Sequence, residues 1–204
     1  MAAIHRKEIE MTYFVTGATG FIGRYLIANL LRRERPIYVL VRKGSEKKLA
    51  AMRKRWGADE KQVIGIEGDL AKPRLGVSAP DLKRLKGKVD HLFHLAAIYD
   101  LKASAEEQEL ANVEGTKNTV RFAEAVNAGC FHHVSSIAAA GLYDGVFRED
   151  MFDEAEELDH PYFRTKHDSE GVVRKECKVP WRVYRPGIVV GHSKTGEIDK
   201  IDGP

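Results

Sequence analysis

The sequence predicts an α/β protein built on a doubly wound parallel sheet, and three observations carry that expectation. Short apolar, β-rich runs alternate with helix-length segments along the chain. The strand runs are apolar throughout rather than at every second residue, the pattern of strands covered on both faces. A glycine-rich turn joins the first such run to the first helical one.

The elements follow in order. Thr12–Thr16 (TYFVT) reads as a buried strand that enters the glycine turn. Phe21–Arg33 has helical spacing, with Ile22, Leu26, Leu30 and Leu31 on one side. Ile37–Val41 is the second strand and Ser45–Trp56 the second helix. Val63–Ile66 is the third strand, ending at Gly68 and Asp69, and Val89–Leu95 the fourth. A long helix covers most of Ala105–Asn127, with Gly129 as its stop signal. Phe131–Ser135 is the fifth strand. The acidic stretch Tyr143–Asp159 reads as an irregular loop over one end of the sheet. Tyr162–Glu176 is a helix entered through Asp159-His160-Pro161, and Trp181–Arg185 is a sixth strand broken by Pro186-Gly187. No repeat, low-complexity stretch or linker interrupts this order.

Bulk properties limit the function classes. The 204 residues are 43% hydrophobic and 31% charged, enough for one buried core. A net charge of +3 is too small to imply a nucleic-acid partner. Lysines and arginines do crowd the first third, where most read as solvated helix faces. Cys130 and Cys177 form no CxxC, so neither a disulfide framework nor a zinc site is indicated. His91 and His94 lie three apart in one strand and point to opposite faces, and adjacent His132 and His133 likewise diverge. No metal is therefore expected. The start lacks a signal-peptide pattern and no run approaches a membrane span, so a cytoplasmic location is expected. Met11 directly precedes the first strand, which makes residues 1–10 an N-terminal extension and 11–204 the domain.

The turn Thr16-Gly17-Ala18-Thr19-Gly20-Phe21-Ile22-Gly23 is built for phosphate. Gly17 permits a tight turn, Gly20 lets backbone approach a pyrophosphate, and Gly23 lets helix and strand pack closely. The free N–H groups of the helix then face the anion. The spacing is GxxGxxG, not the GxGxxG of the dehydrogenase fingerprint. Where an acidic residue would bind the ribose of NAD, the second strand ends in Arg42-Lys43. Arginine pairs with a 2′-phosphate, so NADPH is the expected cofactor. Arg24, just inside the first helix, is a second candidate for that phosphate.

Tyr162-Phe163-Arg164-Thr165-Lys166 is a YxxxK motif whose ends share one helix face. A nearby ammonium favours the phenolate, so such a tyrosine can exchange a proton with a substrate oxygen near neutral pH. Ser135 and Ser136 end the fifth strand, at the sheet edge where open α/β sheets bind ligands. A hydroxyl there can donate to a carbonyl oxygen. Ala96 and Ala97 end the fourth strand and leave room for a dinucleotide. Asn112 is mildly unfavourable inside a helix and invites a reason.

With TGATGFIG, VLVR, GDL, HLAA, NVEGT, SSIAAAG, YFRTK and YRPGIVVG in that order, the chain from Met11 to Pro204 resembles the extended short-chain dehydrogenase/reductases, which have the Rossmann fold. The segment FREDMFDEAEELDHPYFRTKH and the closing GHSKTGEIDKIDGP look further like bacterial fatty acyl-CoA reductases, relatives of the plant male-sterility reductases and of carboxylic-acid-reductase terminal domains. The resemblance implies that Gly17, Gly20 and Gly23, with Thr19, Phe21 and Ile22, form the phosphate turn, and that Arg42 selects NADPH. It implies that Asp69 and Leu70 flank the adenine, Ala96 and Ala97 wall the adenosine ribose, and Pro186, Gly187, Ile188 and Val189 meet the nicotinamide carboxamide. Tyr162 and Lys166 become the catalytic pair, which also faces the cofactor. Asn112 becomes part of a proton relay, and Ser136, five residues before Gly141, the catalytic serine, with Ser135 a neighbouring candidate.

The implied activity is NADPH-dependent reduction of a fatty acyl-CoA thioester or a fatty aldehyde, as part of lipid metabolism. Some relatives carry a fused second reductase domain. Family members run longer, so the sequence reads as a fragment: a nearly complete cofactor half, truncated before most of the substrate domain and its acyl pocket. Two rivals stay open. A nucleotide-sugar epimerase or dehydratase shares the fold and YxxxK but holds NAD. A non-catalytic NADP-binding module would need neither Ser136, Tyr162 nor Lys166.

Overall fold

The computed structural model describes residues 11–97 and 104–196; the expected extension, 1–10, lies outside them. Six strands form one sheet: β1 Tyr13–Thr16, β2 Ile37–Val41, β3 Val63–Glu67, β4 His91–His94, β5 Cys130–Val134 and β6 Trp181–Tyr184. Their order is β3-β2-β1-β4-β5-β6 and every pairing is parallel. This is the doubly wound sheet that the continuous apolar runs predict, and the order reverses between β1 and β4, where such sheets open a ligand crevice.

Alternation along each strand divides the core in two. Tyr13, Val15, Ile37 and Val39 face α1 (Phe21–Leu31) and α2 (Glu46–Trp56), packing with Ile27, Leu30 and Leu49. Phe14, Leu92 and Phe131 face the opposite way, onto Val120 and Phe122 of α5 (Gly115–Ala125) and Val172 and Val173 of α6 (Pro161–Glu176). The Phe14 and Phe122 rings meet at 4.6 Å. Most fully buried large side chains are apolar, and burying each stabilises the fold by roughly 1.5–3 kcal/mol before entropy is counted.

Three features depart from the expectations. The segment between β3 and β4 holds a helix, α3 (Ala79–Leu85), capped by the Ser78 hydroxyl, which accepts from the Asp81 N–H. Before it, Arg74, Leu75 and Gly76 are all left-handed, at φ 50°, 61° and 58°. Leu75 is fully buried there, and its carbonyl accepts from the Asp69 N–H at 2.7 Å. The expected long helix is not uniform. It runs as α4 (Ala105–Gln108), a π-helical stretch at Glu109–Glu114, and α5. It ends at Ala125, and the turn beyond it closes through Asn127, left-handed at φ 51°, rather than at Gly129. Gly129 lies against β4 instead, where a Cβ would sit 2.8 Å from the Asp90 carbonyl oxygen.

The acidic loop is irregular, as expected, but anchored. Phe152 is buried and stacks on His167 of α6 at 4.2 Å and 5°. Among the described residues, no helix is long and apolar enough to cross a membrane.

Candidate active site

The glycine turn lies at the C-terminal end of β1, beside the end of β4. Gly17 has φ 72°, and a Cβ on it would sit 2.7 Å from the Ala96 nitrogen. A Cβ on Gly23 would overlap the Gly17 carbonyl oxygen. Strand, turn and helix therefore pack backbone to backbone and leave α1 with its N-terminus open at Gly20, where no side chain among the described residues caps it.

Two cavities flank this turn. One, of 290 Å³, is lined by Gly17, Thr19, Arg42, Ser45, Lys48, Gly68, Leu70 and Ala96 among others. The other, of 510 Å³, takes in Gly17, Gly20, Phe21, Ile22, Gly23, Ala97, Ser135, Ser136, Tyr162, Lys166 and the run Pro186–Val189. Nearly every candidate residue thus falls on one cleft that passes over the turn. The sequence places Lys48 only within the basic crowd of the first third and does not single out Ser45. They enter because α2 begins beside the end of β2, so its first turn shares the cavity with Arg42.

Three candidates sit elsewhere. Arg24 does not line the cavity of Arg42; its guanidinium lies over the Phe21 and Tyr25 rings, at 4.9 and 5.0 Å. Asp69 lines neither cavity. Its carboxylate accepts from the Ala71 N–H at 3.0 Å and shapes the loop that presents Leu70. Asn112 is buried in the π-helical stretch, where its amide donates to the Thr165 hydroxyl at 3.2 Å. It touches the helix that carries Tyr162 and Lys166 rather than the cavity.

The larger cavity is held together by polar contacts. His160 caps α6, its Nδ1 accepting from the Tyr162 N–H at 3.2 Å, which places Tyr162 in the first turn. Ser136 accepts from the Ala138 N–H at 3.1 Å and starts a short 3₁₀ turn, Ile137–Ala140. The Ile137 N–H donates to the Pro186 carbonyl at 3.2 Å, joining the serine loop to the Pro186–Val189 run. His167 donates from Nδ1 to the Ala139 carbonyl at 3.0 Å, tying the same loop to α6.

Lys166 is the unusual group. It is 4% exposed, its ammonium donates to the Val134 carbonyl at 3.1 Å, and burial pulls its pKa down to about 8. Glu170, one helical turn on, opposes that shift. Glu170 is itself fully buried and pairs with Arg174 at 2.7 Å and with Arg185 at 2.7 and 3.0 Å. Although burial alone would raise its pKa, these two guanidiniums hold its carboxyl below the usual range. Arg185 also donates to the carbonyls of Arg148 and Met151, so one buried carboxylate links β6, α6 and the acidic loop.

Two histidines lie beneath the cavity. His94 is bonded at both nitrogens, to Thr16 at 2.8 Å and Thr116 at 3.0 Å, and burial then pushes its pKa to about 3. His133 stacks beside it at 5.6 Å, but neither of its nitrogens has a hydrogen-bond partner among the described residues. Burial drives its pKa well below the usual value. Within each strand the histidines do diverge. Across strands they converge, His94 with His133 on this face and His91 with His132 on the other.

Residues 15–204 match the NAD-binding family described as male sterility protein. The chain belongs to that family. It is a nicotinamide-dinucleotide-binding domain of the Rossmann type. The chain is 35% identical to a linear gramicidin synthase of Brevibacillus parabrevis over 92% of its own length, and 30% identical to aldehyde reductase lnbA of Aspergillus flavus over 97%. It spans only 4% and 22% of those relatives. Among solved structures it is similar to the terminal R domain from the myxalamid PKS-NRPS biosynthetic pathway, with TM-score 0.80 and 30% identity over 93% of this chain and 52% of that one. UDP-glucuronic acid 4-epimerase from Bacillus cereus, at 23% identity and TM-score 0.66, shares the fold. The resemblance read from the sequence therefore holds for the male-sterility-type NAD-binding domain. None of these relatives is named as a fatty acyl-CoA reductase.

Proposed function

We propose that this NAD-binding domain is the cofactor half of an NADPH-dependent reductase that acts on an aldehyde or on the acyl thioester that precedes it. The observation that carries this reading is that Ser136, Tyr162 and Lys166 line the same 510 Å³ cavity as the glycine turn and Pro186–Val189. A purely binding module has no need of a phenol, a hydroxyl and a buried ammonium around one space. Relatives described as an aldehyde reductase and a terminal R domain agree with it.

The residues fit the cofactor. Gly17 and Gly23 let the turn pack backbone to backbone beneath the open start of the first helix, and Arg42 and Lys48 put two cations around the smaller cavity. Those cations suit a 2′-phosphate, which supports NADPH over NADH. When bound, the dinucleotide supplies a hydride equivalent to the substrate carbonyl carbon.

The protein's own groups then do three things. Ser136 donates a hydrogen bond to the carbonyl oxygen and holds it in place. Tyr162 delivers the proton that this oxygen needs as it becomes an alkoxide. Lys166, four residues on and on the same helix face, favours the Tyr162 phenolate by Coulomb attraction and so eases that transfer. With a thioester, the protonated tetrahedral adduct expels the thiol and leaves an aldehyde. A second round gives the alcohol.

The resemblance to fatty acyl-CoA reductases supports a fatty acyl or fatty aldehyde substrate. An apolar cavity of 900 Å³ bordering the nicotinamide side, with Leu95, Val134, Ile137 and Val189 common to both spaces, supports an apolar acyl chain. A fused second reductase domain and a cytoplasmic location belong to the same proposal. The test is hydride transfer from NADPH to a series of aliphatic aldehydes and their CoA thioesters by the full-length protein. NADPH binding with no oxidation in the presence of any carbonyl substrate would leave a binding module and overturn the reductase.

A further inference from the structure

The opposite face of the sheet carries a second cluster. His91 and Cys130 are register partners, the first residues of β4 and β5. His132, two residues after Cys130, points to the same face. One ligand atom from each of the three lies within 4.8 Å of the others. The pattern could not be read within either strand, because the parallel register creates it.

We infer that His91, Cys130 and His132 form a site for one borderline-soft divalent cation, Zn²⁺ first, at the N-terminal edge of the sheet. Two imidazoles and one thiolate are a donor set that selects such an ion over Mg²⁺ or Ca²⁺. The His91 Nδ1 and His132 Nε2 atoms are 2.9 Å apart. Tetrahedral zinc, with bonds of about 2.0 Å to nitrogen and 2.3 Å to sulfur, holds its donors roughly 3.3–3.6 Å apart. Admitting the ion therefore asks these two nitrogens to separate by only a few tenths of an ångström.

A second observation points to the same ion. His132 Nδ1 lies 2.9 Å from the Tyr184 hydroxyl on β6. That partner fixes the ring so that Nε2 is the nitrogen turned to His91, the arrangement in which a metal-bound histidine donates its other N–H to a neighbour. The ring planes are held as well. Phe93 stacks on His132 at 4.3 Å and 17°, and Tyr13 stacks on His91 at 5.9 Å and 16°.

Charges around the cluster act both ways. Asp90 favours a cation near His91, while Arg182 and Arg33 oppose it. Burial favours the Cys130 thiol, and Arg182 only partly offsets that, so the ion itself has to displace the proton. Binding displaces the thiol proton to solvent and leaves the valence of the metal unchanged, so no oxidant is required. Half-buried His91 and Cys130 leave the fourth position for water. From His91 to Ala96, at the cofactor end, is five residues, or ~16 Å of strand. The ion would staple β4 to β5 without entering the hydride chemistry.

The test is metal uptake by the purified full-length protein, made metal-free and titrated with Zn²⁺ and with Co²⁺. The expected result is one equivalent of Zn²⁺, a rise in the unfolding midpoint, and a thiolate-to-cobalt charge-transfer band in the near ultraviolet. Cys130→Ser abolishes the band, Cys177→Ser keeps it, and Tyr184→Phe keeps it while weakening affinity ~10–100-fold. The half-exposed Tyr184 tolerates that change, so folding does not confuse the result. No uptake by the wild type, or an unaltered band in Cys130→Ser, overturns the site.

Discussion

The two halves of the cleft are made of different materials. The half proposed for the adenine end is backbone: glycines in contact, a helix start with no side-chain cap among the described residues, and cations standing exposed at the rim. The half proposed for the nicotinamide is side chain: a buried lysine beside a carboxylate that two arginines neutralise. A site made of backbone tolerates changes at its rim, because nothing else depends on the rim residues. A site made of buried charge couples its chemistry to the stability of the fold.

Substitutions can break that contrast. The largest effect is expected at Tyr162. Tyr162→Phe should lower kcat for aldehyde reduction ~10²–10⁴-fold and leave NADPH affinity within a few-fold, measured by steady-state kinetics and fluorescence titration. An unchanged kcat would remove Tyr162 from the proton transfer. At the rim, Arg42→Ala should weaken NADPH ~10–100-fold, the range for a lost hydrogen bond between charged groups, with NADH and the unfolding midpoint hardly altered. Equal loss for both cofactors would place Arg42 elsewhere than on the 2′-phosphate.

Lys166 sharpens the contrast through pH. Its folded pKa, about 8, lies below its unfolded one. Between about pH 8 and 10.5 the native state holds fewer protons than the unfolded state, so this residue makes stability rise with pH. The same deprotonation removes the charge that assists Tyr162, so kcat should fall as pH rises above about 8. Activity and stability moving in the same direction across that window would contradict a buried, catalytic Lys166.

The smallest effect is expected at His133. Its folded pKa is depressed, so stability is complete above about pH 6.5 and is lost as pH falls below it. His133→Phe removes two unpartnered nitrogens. It should stabilise the protein by ~1 kcal/mol at neutral pH and flatten its acid sensitivity, read by denaturant unfolding at pH 7 and pH 5. Destabilisation at both values would show that the ring nitrogens are satisfied after all.

The same contrast explains what could be read in advance. Strand and helix positions followed from apolar runs and caps, and Gly17, Gly23 and Arg42 from their place beside the first two strands. Local signals also existed for α3, where Ser78, Pro80 and Asp81 mark a helix start. Lys48 became visible only once α2 was set against β2. Glu170, Arg174 and Arg185 look like surface charges in a one-dimensional reading. Their burial follows from how β6, α6 and the acidic loop pack. The His91–Cys130–His132 cluster needs the register of two strands 39 residues apart, which no periodicity within a strand encodes. Arg24 shows the converse: next to the glycine turn in sequence, its guanidinium lies over two aromatic rings and not in the cavity of Arg42.

The strand order also bears on how the chain is made. Of the six strands, β1 leaves the ribosome first and pairs with β2 on one side, but its other neighbour is β4, whose register partner for Tyr13 is His91. Until residue 94 has emerged, the central strand keeps one edge of unpaired N–H and C=O groups, and half of what becomes the ligand crevice does not exist. Nascent chains at that stage present an apolar strand edge that can pair with another polypeptide. Chaperone demand during synthesis should therefore peak before β4 appears and drop once it docks, whatever the stability of the finished fold.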